Sequence, residues 1–442
     1  MGMKASRLLV SLAVVATASG PFSNEGPDLK GLVAGLKSSE CVDDIRRFYQ
    51  QGAYAPAWTH DGMPTPQATA LLEAVKEASM KGLNPGDYDS EELEELSQLQ
   101  PSAPPSDVAR FDLALTVSVM QYVSDLRKGR PGSKLFHAGS GPAQEFDVPD
   151  FVRTQLVDAS DVQSALAGLD PSFPDYQRAE GALQRYLKLA GPANALRVRR
   201  LQLTLERYRW LPRSVHGPLI VVNIPEFRLR AFDDSDRTAL QMKVVVGKAY
   251  GHQTPAFTSD LKFVIFRPYW DVPPSIQNAE ILPKLANNPG YLARNGFEMV
   301  SSQGGGIRIR QLPGNRNALG LVKFLFPNSY DVYMHGTPAT RLFLRLRRDF
   351  SHGCIRLENP AKLAEWVLRE NGGWTPERVA AAMSGNKTTT VPLNRQIPVW
   401  IVYITAIATE DGEVRFLDDI YGQDAALESL LTSGGRGQCP RE

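Results

Sequence analysis

Charge of one sign is the first thing this sequence lacks. Its 442 residues carry 49 Lys and Arg against 48 Asp and Glu, so no global field draws the chain to nucleic acid or anionic lipid. Charge-driven recognition therefore has to be local. Cysteine is scarce: three cannot build a disulfide framework, and the odd count leaves at least one thiol free within the chain. Long apolar runs are missing too. The run over residues 8 to 18 is too short to span a bilayer comfortably, and no later segment approaches the roughly 18 residues a span needs. Glycine and proline, 36 and 32 residues, stay well below low-complexity levels, and 43% apolar with 22% charged is ordinary globular composition. At about 150 residues per domain, the length predicts two or three domains.

Lys4 and Arg7, the apolar run behind them and Ala16-Thr17-Ala18 form the basic, apolar and small-residue parts of an export signal over 1–20. Residues 30–213 carry helical signals. Thr65 before Pro66 reads as an N-cap and first-turn proline. Phe111, Leu115, Val119, Tyr122 and Leu126 recur at helical spacing between Ser106 and Gly129, and Val198 to Leu211 repeats the pattern with arginines around it. The acidic residues between Asp87 and Glu95 read as a solvated loop and helix start. From Gly217 the texture changes to short β-rich runs separated by Gly, Pro and Asn, including 307 to 310 and a late strand over 399 to 406. An insertion over 271–306, with Pro273-Pro274 at one end and Gly304-Gly305-Gly306 at the other, has the make-up of a lid. Residues 421–442 read as a polar C-terminal tail.

Chemistry concentrates in two short motifs. Asp331-Val-Tyr-Met-His335 alternates, which in a strand puts Tyr333 and His335 on one face and Val332 and Met334 on the other. Gly336 breaks the strand. Cys354 follows in Ser351-His352-Gly353-Cys354, in a glycine-containing turn ahead of a helix that starts at Asn359-Pro360. A cysteine nucleophile must act as thiolate, and a neighbouring imidazole and positive charge favour that form. His335 can supply the first; Arg341, Arg345, Arg347, Arg348 and Arg356, with Asp349 as the one acid among them, can supply the second. The competing readings are a solvated basic face and a buried, inert cysteine.

Met334-His-Gly-Thr337 followed by Ser351-His-Gly-Cys-Ile-Arg356 resembles the catalytic motif of the L,D-transpeptidases, bacterial cell-wall enzymes. Arg207-Tyr-Arg-Trp-Leu-Pro212, Pro268-Tyr-Trp-Asp-Val-Pro-Pro274, Asn317-Ala-Leu-Gly320 and Asp419-Ile-Tyr-Gly422 extend the resemblance to the large exported Gram-negative branch. The resemblance implies an α+β multidomain fold, with a helical scaffold domain (30–213), a β-rich catalytic domain (217–420) and a substrate-capping lid. It implies Cys354 as nucleophile, His335 as base, His352 and Ser351 as support, and the Cys354 and Gly353 N–H groups as oxyanion hole. Tyr333, Trp270, Arg356 and Gly336 then line the substrate cleft. Larger members insert a compact peptidoglycan-binding module in the scaffold; here only a short connection separates Tyr186 from the helix near Leu196.

The implied activity is acyl transfer in the periplasm on peptidoglycan stem peptides: a thioester at the diaminopimelate carbonyl, release of D-alanine, and a 3→3 cross-link to a second stem. Carbapenems would acylate the same thiol. No cofactor or metal, no nucleic acid and no membrane insertion are implied, and the chain is expected to be a monomer. The same site could instead pass the acyl group to water, as an L,D-carboxypeptidase, or attach or detach an envelope lipoprotein. A non-catalytic wall-binding scaffold and a Cys354/His352/His335 zinc site are more distant alternatives, since the other histidines and cysteines show no paired ligand spacing. Cys41 with Cys439 would make the odd cysteine count sensible, but nothing in the sequence places them together.

Overall fold

The computed structural model describes residues 28–36, 40–130, 135–137, 146–189, 191–213, 217–301 and 306–432. The expected export signal, Gly304 and Gly305 of the expected hinge, and Cys439 lie outside them.

The N-terminal unit is helical and built around the helix Pro105–Lys128. Phe111, Leu115, Val119, Tyr122 and Leu126 are all buried on it, and Gly129, at φ +71°, ends it by donating its N–H to the Asp125 carbonyl. A left-handed residue there is the usual helix stop. The helices Leu29–Gly35, Glu40–Gln51, Pro66–Lys76 and Ser90–Leu96 share its apolar core, joined by a hairpin of β1 (Thr59–His60) and β2 (Met63–Pro64). Thr65 caps Pro66–Lys76 by accepting from the Ala68 N–H. The acidic run divides. Glu91, Glu92, Glu94 and Glu95 are exposed, but Asp87 is buried with Arg130 3.5 Å away, so it is not part of a solvated loop.

Packing also divides the expected helical domain. The core of the first unit reaches Leu169, whereas Tyr176, Leu183, Leu201, Leu205 and Leu211, on helices Pro174–Leu187 and Pro192–Arg209 and just beyond, are buried against the β-rich unit. Their apolar stripes face the sheet, and their covalent position says nothing about which core they join.

The β-rich unit contains β3 (Leu219–Asn223), β4 (Arg228–Phe232), β5 (Thr238–Gly247) and β6 (Phe257–Phe266). After an excursion of β7 (Trp270–Asp271), β8 (Phe297–Ser301) and β9 (Ile307–Gln311), it continues through β10 (Val322–Leu325), β11 (Met334–His335), β12 (Asp349–Ser351), β13 (Ile355–Leu357) and β14 (Thr389–Val402). The strand order is β12-β5-β13-β11-β10-β6-β14-β3-β4, and β4 also pairs with β5, so the ladder closes on itself. Alternation along these strands buries Ile220, Val222, Val244, Val246, Val264, Phe266, Val322 and Phe324.

Three expectations are corrected. The excursion over 271–306 extends to Gln311, because β9 is the central strand of a separate sheet, β7-β9-β8, with its own cluster of Val272, Ile281 and Ile309. Residues 307 to 310 therefore belong to the excursion and not to the main sheet. The late strand starts at Thr389, ends at Val402, and is followed by β15 (Ala406–Ala408) paired with β16 (Val414–Phe416). The expected polar tail begins with a helix, Gln423–Thr432, anchored by buried Leu427 and by Asp424, which pairs with Arg207 at 2.5 Å.

Candidate active site

Register across three strands assembles the site. His335 on β11 pairs with Lys323 on β10 and, in parallel, with Arg356 on β13. Residues directly opposite across a ladder share a face, so Lys323, His335 and Arg356 form one cross-strand row. Tyr333, two residues before His335, lies on the same face, its ring centroid 5.7 Å from the imidazole. Cys354 immediately precedes β13, where the Ile355 N–H bonds the Tyr333 carbonyl. The expected order of turn then helix is thus interrupted by strand β13 before helix Pro360–Leu368.

The turn carrying the thiol is fixed from several sides. Gly353 sits at φ +113°, a left-handed conformation that favours glycine. Ser351 Oγ donates to the Cys354 carbonyl (2.6 Å) and accepts from the Gly353 N–H (3.2 Å). Thr254, fully buried, donates to the Gly353 carbonyl (2.7 Å) and accepts from the Gly247 N–H (2.9 Å). Tyr421 braces the same place by donating to the Gly247 carbonyl (2.6 Å). The Gly353 N–H is thus engaged by Ser351 in this structure, whereas the expected oxyanion role would need it free.

The Cys354 sulfur lies 3.7 Å from the Asp331 carbonyl, and Tyr333 sits beside it, where its hydroxyl and backbone favour the thiolate. Asp331 holds that carbonyl in place from the left-handed region, at φ +53°. Burial pushes the thiol up from its ordinary value, opposed by Tyr333, Lys323 and Arg356. Burial, with Cys354 and Asp331 nearby, holds the Tyr333 phenol far above its usual range, so it stays a donor. His335 is 4% exposed; burial, then Arg356 and Lys323, push it down to about 3, leaving it neutral. Its Nδ1 lies 2.5 Å from the Gly336 carbonyl. That carbonyl orients the imidazole, a partner the sequence could not name. Gly320 makes the approach possible: a Cβ there would lie 2.7 Å from the Gly336 carbonyl carbon.

The positive charge comes from fewer groups than the arginine run suggested. Arg347 is bidentate on Asp349, Arg348 donates to the Val244, Arg345 and Phe227 carbonyls, and Arg345 lies over the Phe350 ring. Arg356 and Lys323 are the cations that act on Cys354. His352 points away from the imidazole base. Its Nε2 lies 2.8 Å from Glu280 in the excursion, and its ring packs edge-on against His252 at 4.6 Å. Trp270 packs with Phe297 in the excursion's own cluster. Gly336 donates to the Val322 carbonyl and takes part through its own carbonyl on His335. Cys41 is disulfide-bonded and Cys354 is free. Sequence reasoning missed Lys323, Asp331, Thr254, Tyr421 and Glu280; alternation on β10 placing Lys323 between buried Val322 and Phe324 was the one available signal.

Residues 217–394 match the YkuD family model, an L,D-transpeptidase catalytic domain, and residues 43–183 match a scaffold domain model. The chain is 28% identical over 400 residues to a Haemophilus influenzae protein named "Putative L,D-transpeptidase", covering 87% of this chain and 78% of that one. Among solved structures it is similar to LD transpeptidase LdtMt1 in complex with imipenem (14% identity, TM-score 0.22, 42% of this chain and 59% of that one). It is also similar to the Ldtfm-avibactam carbamoyl enzyme (12%, TM-score 0.20, 42% and 49%). The chain thus spans about half to three-fifths of those two chains, and these likenesses are too distant to bear on the site. The chain thus carries a YkuD-type L,D-transpeptidase catalytic domain behind a scaffold domain, in the order of the two matched models, with a relative of that name along most of its length.

Proposed function

We propose that this protein is a peptidoglycan L,D-transpeptidase of the periplasm, working through a Cys354 thioester to form 3→3 cross-links. The observation that carries the reading is the free thiol, beside Tyr333 and two residues before Arg356, the register partner of a buried, neutral imidazole flanked by two cations. Among the described residues no helix is long and apolar enough to cross a membrane.

The resting thiol and imidazole are both uncharged, so attack needs the proton to move as the bond forms. Cys354 turns from the Asp331 carbonyl toward His335, which accepts the proton as general base. Sγ bonds the diaminopimelate carbonyl carbon, and the tetrahedral oxyanion takes the Cys354 N–H. His335 returns the proton to the departing amine of D-alanine as the C–N bond breaks, leaving the thioester. The side-chain amine of a second stem then attacks, loses a proton to His335, and expels the thiolate, which is reprotonated. Arg356 and Lys323 suit the free carboxylates of stem peptides. The excursion from Trp270 to Gln311 serves as lid, touching the Cys354 turn through Glu280 and His352.

The test is incubation with purified tetrapeptide muropeptides and mass spectrometry of the products. A 3→3 dimer is expected, together with a thioester adduct on the Cys354 peptide. Tripeptide alone would make the enzyme a carboxypeptidase, and neither product would remove the reading.

A further inference from the structure

The ammonium of Lys323, so far assigned only a share in binding substrate carboxylates, is stationed against the residues that hold the thiol. Its Nζ lies 3.7 Å from the centroid of the ring of Tyr333, the residue that sits beside the Cys354 sulfur and favours its thiolate. Such a cation is attracted to the ring face, which orients a side chain that otherwise has about 2 kcal/mol of rotamer entropy to lose. Cross-strand register puts it opposite His335, with Arg356 opposite on the other side, so the base is bracketed by two cations in one row. Arg356 is held less tightly: its buried Nε has no hydrogen-bond partner among the described residues.

We infer that Lys323 is a positioning residue, a fixed positive charge that keeps the Cys354 thiolate accessible and the neighbouring His335 in its proton-accepting form. The role rests on the transpeptidase reading only in what the thiolate is used for. A cation beside the sulfur favours its anion, and the same ammonium beside the imidazole keeps the ring unprotonated at rest, with its lone pair available when the thiol gives up its proton. The groups facing this centre are Tyr333 and Asp331 from the β11 segment, Arg356 from β13, Asp271 from β7, and Lys323 itself. Burial lowers the Lys323 ammonium from its ordinary value, opposed by Cys354 and by the carboxylates of Asp271 and Asp331. The tyrosine ring then links the parts: Lys323 rests on its face, and the thiol lies beside the same residue.

The experiment reads alkylation of Cys354 by iodoacetamide as a function of pH in the full chain, by mass spectrometry of the Cys354 peptide, for wild type, Lys323→Met and Lys323→Arg. Removing the charge is expected to move the alkylation profile to higher pH by about one unit, a tenfold loss of rate at pH 7, and arginine should restore it. A purely structural role would lower thermal stability without moving the profile. Should the methionine variant not fold, Lys323→Gln is read in the same way. A profile unmoved in a folded, neutral variant overturns the inference. Muropeptide turnover separates it from the functional reading: a shifted profile in a protein that makes no cross-links keeps the charge role and removes the transpeptidase, whereas cross-linking with an unmoved profile does the reverse.

Discussion

Lowering the pH should weaken this fold through His335 in a way that can be isolated. The ring is buried and held down to about 3 by that burial and by Arg356 and Lys323, while in the unfolded chain it titrates near 6.5. Below 6.5 the unfolded chain binds a proton that the folded protein does not take up until about pH 3. Stability is therefore complete above pH 7 and falls as pH drops through that window. Integrating the difference gives a loss of about 2 kcal/mol between pH 8 and pH 5, and about 3 kcal/mol by pH 4. Urea unfolding of wild type and His335→Gln at pH 7.5 and 5.0 gives the double difference, in which the many carboxylates common to both proteins cancel. Wild type should lose about 2 kcal/mol more than the variant over that interval. Parallel losses would mean that the imidazole is not held neutral in the fold, and the proposed base would lose its physical basis.

Cys354→Ala should abolish both muropeptide cross-linking and covalent capture by a carbapenem, as seen by intact-protein mass spectrometry; normal turnover would sink the nucleophile. His335→Ala should lower the acylation rate by about 10² or more, and His352→Ala by less, since His352 pairs with Glu280 and not with the thiol. The reverse ranking in stopped-flow acylation would move the base to His352. Thr254→Val, nearly the same shape, strips the Gly353 carbonyl and the Gly247 N–H of a buried partner and should cost about 2–4 kcal/mol in urea unfolding. A change below about 0.5 kcal/mol would show that the turn does not depend on it. Glu280→Gln should raise hydrogen exchange in the segment from Trp270 to Gln311 with little effect on thermal stability, and unchanged exchange would remove the latch.

The proposed catalytic pair was legible because its signals are local. Alternation put Tyr333 and His335 on one face, and the Ser-His-Gly-Cys run marked a tight turn. The helix Pro105–Lys128 was equally plain, since its periodicity and its glycine stop lie within one stretch of chain. What escaped is non-local. Thr254 meets Gly353 across 99 residues, and Lys323 meets His335 only once the register of β10 and β11 is known. Asp331 gave no signal because its contribution is a carbonyl, which every residue carries. The arginine run misled for the opposite reason: charge counted along the sequence ignores partners, and Arg347 and Arg348 are occupied by Asp349 and by carbonyls. The helix Gln423–Thr432 was hidden in a polar stretch because its anchor, Asp424, is satisfied by Arg207 far upstream.

That anchor belongs to a junction that determines which part of the molecule is able to move. The helix Pro192–Arg209 sends charged groups in two directions. Glu206, fully buried, pairs with Arg130 at the end of the long scaffold helix (3.0 Å), and Arg209 donates to the Lys81 carbonyl and the Tyr176 hydroxyl. Next to Glu206, Arg207 pairs with Asp424 and lies over the Tyr403 ring on the β side. His137 completes the seam by exchanging backbone hydrogen bonds with Ala256 and Thr258 at β6. Separating these partners would strand buried charges, each at about 3–5 kcal/mol. The contact of the lid with the Cys354 turn is of another kind: His352 and Glu280 are 26% and 40% exposed, and a pair of that exposure contributes about 0–1 kcal/mol. The lid also has its own sheet and its own apolar cluster, so it can swing without unfolding. On the proposed reading substrate entry falls to this excursion, while the buried pairs keep the scaffold and the closed ladder together and hold the thiol, the imidazole and the two cations in register.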